Sequence, residues 1–127
     1  MPHILLLEPN TLLAANYTRA FTFLGHSVAH AATAQAGITA ADRQQPDAVV
    51  LELQLPGHNG IEFLHEFRSY IDWQHIPVLV HTALTPARIL PAMDALQRDL
   101  GVVTILYKPQ TSLQILLHAL AETLGAQ

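Results

Sequence analysis

The stretch DAVVLELQLPGHNG, residues 47–60, decides how the rest of the chain is read. Ala48 to Leu51 form an unbroken apolar run of strand length, and the run ends in one carboxylate, Glu52. Pro56, Gly57, Asn59 and Gly60 follow, which are residues of turns and helix starts. A strand that is apolar on both faces is buried on both, and this is the habit of parallel sheets covered by helices. A carboxylate leaving such a strand needs a partner, because a buried charge without one is costly.

Outward from this segment, short apolar runs alternate with segments of helical period. HILLL (3–7), bounded by Pro2 and Pro9, reads as a second buried strand. Asn10 caps the helix after it, in which Leu13, Tyr17, Phe21 and Leu24 make one stripe before Gly25. HSVAHAA (26–32) is a weaker strand, placed nearer an edge. Thr33 caps a helix to about Gln45, where Pro46 ends it. DAVVLEL (47–53) is the most apolar strand and therefore central. Asn59 or Gly60 opens a helix carrying Ile61, Leu64, Phe67 and Ile71. IPVLVHT (76–82) is the fourth strand. Thr85 and Pro86 start a helix over 86–100, inside which Pro91 predicts a kink or a late start. VVTILY (102–107) is the fifth strand. Thr111 or Ser112 caps a last helix running to Leu124, with Leu113, Leu116, Leu117, Leu120 and Leu124 as its apolar positions. Five strand–helix units without repeat or linker define one α/β domain over residues 1–127. It is a doubly wound five-stranded parallel sheet with right-handed crossovers.

Composition narrows the function. The 127 residues are 50% hydrophobic and 13% charged, so the chain buries a core. Ten acids against six bases give a net charge of −4 with no basic run. That disfavours nucleic acid and anionic membranes, whose phosphates call for clustered Lys and Arg. With no cysteine, disulfides and thiolate chemistry are excluded. No apolar stretch approaches the roughly 18 residues of a membrane span, and no signal-peptide pattern opens the chain. A soluble cytoplasmic protein is expected. Eight histidines invite a metal reading, yet no His-x-x-x-His falls on a predicted helix. His26 and His30 are four apart in a predicted strand, which separates them by about 13 Å. His58 and His81 are the pair that could meet near the site; the others are expected at the surface.

Ligands of open parallel sheets sit beyond the carboxyl ends of the strands. The residues there are Glu8-Pro9-Asn10, Glu52, Thr82-Ala83 and Lys108-Pro109: two carboxylates, a hydroxyl and an amine. Lys108 is the single lysine of the chain. EPNTLLAAN (8–16) has no glycine for a phosphate loop, and no Ser–His–Asp arrangement is visible. An enzyme is not expected.

In these four segments the chain resembles the receiver domain of bacterial two-component response regulators. LELQLPGHNG (51–60) is similar to the phosphoacceptor segment, where the family has an aspartate. HTA (81–83) matches the segment whose Thr or Ser contacts the phosphoryl group. YKP (107–109) matches the fifth-strand lysine and its frequent cis-proline, and LLLEPN (5–10) the acid pair that holds magnesium. The resemblance implies a flavodoxin-like (βα)5 fold with strand order 2-1-3-4-5. It implies a role in phosphorelay signal transduction, and a partner surface for a histidine kinase, an effector or a second copy, within residues 86–125.

The departures point to a pseudo-receiver. Glu52 replaces the aspartate and carries its carboxylate roughly 1.3 Å further out. A displacement near 1 Å can cost about a hundredfold in an in-line transfer. Pro9 replaces the second metal acid, so no cofactor is expected and Glu8 and Glu52 are at most a remnant of a metal site. Ile105 stands where the family often has an aromatic switch. Glu52, Thr82, Lys108 and Glu8 thus make a degenerate phosphoacceptor pocket, in which Glu52 either mimics the phosphorylated state or only blocks the site. Blander readings remain beside it: Glu52 satisfying backbone N–H groups, Glu8 at a solvated strand end, Thr82 as an ordinary strand residue. The expected function is a stand-alone receiver without output domain, acting by protein–protein contact. The alternative is a working phosphoacceptor in a histidine-kinase phosphorelay.

Overall fold

The computed structural model describes residues 1–125. The strands are β1 (His3–Leu7), β2 (Ser27–Ala31), β3 (Ala48–Leu51), β4 (Val78–Thr82) and β5 (Val102–Tyr107). They form one parallel sheet in the order β2-β1-β3-β4-β5. The weakest apolar run, β2, is an edge, and β3 lies in the middle. Central strands touch apolar groups on both faces and edge strands do not, so the hydrophobicity ranking anticipates β2 at an edge and β3 in the centre.

Alternation along each strand splits the core in two. Leu5, Leu7, Val49, Leu51, Val78 and Val80 point to one face, under α2 (Ala34–Arg43), α3 (Gly60–Ser69) and the 86–100 segment. Ile4, Leu6, Ala48, Val50 and Leu79 point to the other, under α1 (Thr11–Phe23) and α5 (Leu113–Gly125). Four helix starts are capped by side chains that the sequence suggests. Asn10 accepts from Leu13 N, Thr33 from Ala36 N, and Ser112 from Ile115 N. Asn59 and Glu62 form a reciprocal capping box.

Several expectations are corrected. α3 stops at Ser69, so Ile71 leaves the stripe and is 81% exposed. Leu24 and Leu113 also lie at the surface, because helix ends project past the sheet they cover. The 86–100 segment is no single helix: α4 (Pro86–Ile89) gives way to a 3-10 turn at Leu90–Ala92 and a π-helical turn at Ala95–Asp99. Pro91 is the cause, since it lacks an N–H and its ring clashes with the preceding turn. Thr85 makes no side-chain cap. Among the described residues no peptide bond is cis, so Lys108–Pro109 lacks the isomer that the resemblance implies.

Arg68, unremarked in the sequence, pins this irregular segment. Its guanidinium donates to the carbonyls of Leu100 (2.9 Å), Trp73 (2.8 Å) and Gly101 (3.3 Å). Gly60 has a second structural task. Its N–H donates to Leu53 O at 2.7 Å, and a Cβ there would stand 2.7 Å from Leu53 Cα and 3.1 Å from Glu52 O. The start of α3 is therefore seated directly on the backbone that presents Glu52. Gly60→Ala should destabilise the protein by about 1–3 kcal/mol through overpacking against main chain. Urea denaturation would show this as a lower midpoint at unchanged slope.

Candidate functional site

Parallel register brings the carboxyl ends of β1, β3, β4 and β5 to one edge, so residues scattered over a hundred positions converge there. Glu8 follows β1, Glu52 follows β3, Thr82 ends β4 and Lys108 follows β5. Glu8, Glu52 and Thr82 are buried, and the Lys108 side chain is 13% exposed. The Lys108 ammonium bridges the two acids, 2.7 Å from Glu52 Oε1 and 2.5 Å from Glu8 Oε1. All four positions singled out in the sequence thus meet in one cluster.

Glu52 is the hub. Its Oε1 accepts from Lys108 Nζ and from Ala83 N at 3.0 Å. Its Oε2 accepts from Gln54 N at 3.0 Å and from the Thr82 hydroxyl. A carboxylate offers about four lone-pair sites, and here four donors fill them. Burial alone would raise the Glu52 pKa; hydrogen bonds from Gln54, Lys108, Thr82 and Ala83 outweigh it and hold the carboxyl below its ordinary value. Burial likewise disfavours the ammonium of Lys108, but Glu52 and Glu8 raise its pKa above the usual lysine value. The pair is therefore ionised on both sides. The reading of Glu52 as an acceptor for backbone N–H groups and its reading as a partner of Lys108 and Thr82 are both realised in the geometry.

Glu8 is no solvated strand end. It is buried, and its Oε2 accepts from Asn10 N at 3.1 Å while its carbonyl oxygen meets His30 Nε2 at 2.8 Å. Thr82 is more than a strand residue, since its hydroxyl oxygen also accepts from Leu84 N at 3.1 Å. Ile105 packs into the α2/α3 face of the core.

Magnesium wants near-octahedral oxygen coordination, normally with one or two carboxylates and several waters. The donor set does not fit it. Every Glu52 lone pair is engaged, one Glu8 oxygen is held by Lys108, and Pro9 has no side-chain oxygen. Among the described residues no group of three or more His, Cys, Asp or Glu converges.

His58 and His81 do not meet as expected. His58 pairs with Glu62 at 3.1 Å on the surface of α3. His81 points to the opposite face of the sheet and packs edge-on against Tyr17, ring centroids 5.2 Å apart. The period-two alternation of β4 forces this, because Thr82 and His81 must face opposite ways. Sequence reasoning placed His81 near His58 rather than against Tyr17, and it did not single out the Gln54 and Ala83 N–H groups as the donors that hold Glu52. The signal available for His81 was its place one residue before Thr82 in an apolar strand.

With fold and cluster described, comparison with known proteins defines the class. The chain belongs to the response regulator receiver domain family, matching it over residues 4–120. A probable transcriptional regulatory protein of Mycobacterium tuberculosis, TcrX, is 35% identical over 80 residues, covering 63% of this chain and 33% of the relative. The chain thus spans about a third of the length of such curated relatives. A CheY-like receiver domain protein from Methanospirillum hungatei superposes with TM-score 0.87 at 20% identity, over 99% of this chain and 95% of that one. The receiver domain of sensor histidine kinase PA1611 from Pseudomonas aeruginosa, crystallised with magnesium in its active site cleft, is 26% identical with TM-score 0.81, over 98% of both chains.

Two outcomes are expected of the cluster. Thr82→Val should cost about 1–3 kcal/mol in a denaturation experiment, since it strips a donor from Glu52 and an acceptor from Leu84 N. The second concerns acid. Burial first, and the Lys108 charge second, push the His81 pKa from 6.5 to about 4. The folded state therefore binds a proton less readily than the unfolded chain, and stability falls as pH drops from 6.5 towards 4. The loss from His81 is about 3 kcal/mol. Glu52, whose folded pKa is depressed, adds its own loss below the ordinary carboxylate range. His81→Phe should flatten the profile between pH 6.5 and 4 and leave the steeper acid limb.

Proposed function

We propose that this receiver domain transmits signals by protein–protein contact in the cytoplasm, without phosphorylation of Glu52 and without catalysing a reaction. One observation carries the reading: the carboxylate at the phosphoacceptor position has every lone pair occupied by Lys108, Thr82, Ala83 N and Gln54 N. A nucleophilic oxygen must present a free lone pair in line with the phosphorus, within about 3–3.5 Å. Here attack would first break a charge-assisted bond in a buried pocket. Thr82 and Lys108, which the family resemblance assigns to the phosphoryl group, are spent on the protein's own acid. This supports a site standing in one arrangement, with Glu52 as the internal occupant of a degenerate phosphoacceptor pocket.

The partner, a histidine kinase or an effector, is assigned to the surface within residues 86–125. That region exposes Leu90, Val103, Leu113 and Ile115. Its apolar side chains flank a groove between β5 and α5 lined by Val103, Thr104, Ile115 and Ala119. Among the described residues no helix is long and apolar enough to cross a membrane.

The decisive experiment is incubation with acetyl phosphate and magnesium, followed by intact mass and peptide mapping. The expected result is an unmodified chain. One acid-labile phosphoryl group per chain, mapped to Glu52, would establish the alternative of a working phosphoacceptor.

A further inference from the structure

The misfit between this pocket and a divalent ion has a specific cause. We infer that the Lys108 ammonium is the resident cation of the site: it fills, between Glu8 and Glu52, the electrostatic role of a metal ion and renders the pocket insensitive to magnesium. The inference deepens the proposed function by naming what fixes the state of that same pocket, and it rests on the reading of Glu52 as an internal occupant.

Two carboxylates, each side chain only 3–4% exposed, converge on the Lys108 ammonium at the end of the sheet. Left alone they would repel in a poorly solvated space. Lys108 prevents this with two charge-assisted contacts of 2.5 and 2.7 Å. The remaining negative charge is spread over donors that cannot leave: the N–H groups of Asn10, Gln54 and Ala83 and the hydroxyl of Thr82. A magnesium ion entering the pocket would have to expel the ammonium from both acids and shed tightly held water. In return it would gain at most two carboxylates, because Pro9 contributes none. An ordinary structural salt bridge would show the same distances, but it would not be replaceable by a metal. That difference makes the inference testable.

The test compares thermal unfolding of the wild type, Lys108→Met and the double variant Lys108→Met/Glu8→Gln, each in buffers of equal ionic strength with and without magnesium chloride. Methionine keeps the apolar stem of the lysine and removes its charge. At about 10 mM magnesium the wild-type midpoint should not move. The Lys108→Met midpoint should start lower and rise by about 5 °C with the ion. Adding Glu8→Gln should abolish that response while relieving the destabilisation. A wild-type midpoint that rises with magnesium as much as the variant's would overturn the inference, and so would a folded Lys108→Met protein indifferent to the ion. Should Lys108→Met fail to fold in both buffers, magnesium titration of the wild type by amide NMR decides. Unmoved resonances of Glu8, Glu52 and Ala83 support the resident ammonium, and saturating shifts refute it. Phosphorylation of Glu52 without a magnesium response of the unphosphorylated protein would sink the proposed function and leave the resident cation standing.

Discussion

The structure turns on one lysine held between two acids. Lys108, Glu8 and Glu52 leave three different strands, and the ammonium ties the ends of β1, β3 and β5 together at the carboxyl-terminal end of the sheet. A buried ion pair of this kind is weak evidence of net stability, since desolvation opposes the attraction, but removing one partner leaves an uncompensated charge and costs several kcal/mol. Its larger effect is on the number of accessible states. With the charges matched and the hydrogen bonds filled, few other arrangements of these groups are tolerable in so little water.

That lock reaches outward through the main chain. Ala83 N and Leu84 N are held by Glu52 and Thr82, which fixes how the chain leaves β4 towards α4. On the third strand Gln54 N bonds back to Glu52, and Gly60 N to Leu53 O, so the loop from Leu53 to Asn59 closes on itself before α3 begins. The segment 86–100 is thus anchored by the pocket at one end and by Arg68 on the carbonyls of Leu100 and Gly101 at the other. Between these anchors lies the irregular run through Pro91 and the π-helical turn at Ala95–Asp99, whose 3-10 and π turns have poorer hydrogen-bond geometry than an α-helix.

Much of the architecture was legible because burial leaves a periodic trace. Unbroken apolar runs at 3–7 and 48–51 required cover on both faces, and Asn10 and Thr33 announced helix starts that they cap, while of the pairs Asn59 or Gly60 and Thr111 or Ser112 the structure uses Asn59 and Ser112. Where the chain loses that periodicity, inference weakened. Ile71 and Leu113 continue a helical spacing past the point where the sheet can cover it, and spacing alone carries no mark of where the cover ends. The proline inside 86–100 signalled a disturbance without fixing its form. His58 and His81 looked like neighbours because both flank site segments, yet side-chain alternation on β4 sends His81 to Tyr17 on the other side of the sheet.

The amino-acid order by itself determined the fold class and which residues would stand at the strand ends, because hydrophobic period and strand sequence fix both. It also carries the departures from the resemblance: Glu52 where the resemblance implies an aspartate, and Pro9 where it implies an acid. Only the tertiary structure decided what the glutamate does with its extra length. Whether that carboxylate turns to solvent, to the backbone or to the lysine depends on distances of a few ångströms between segments 30 to 56 residues apart in sequence. Those distances are set by strand register and core packing, which no single segment encodes.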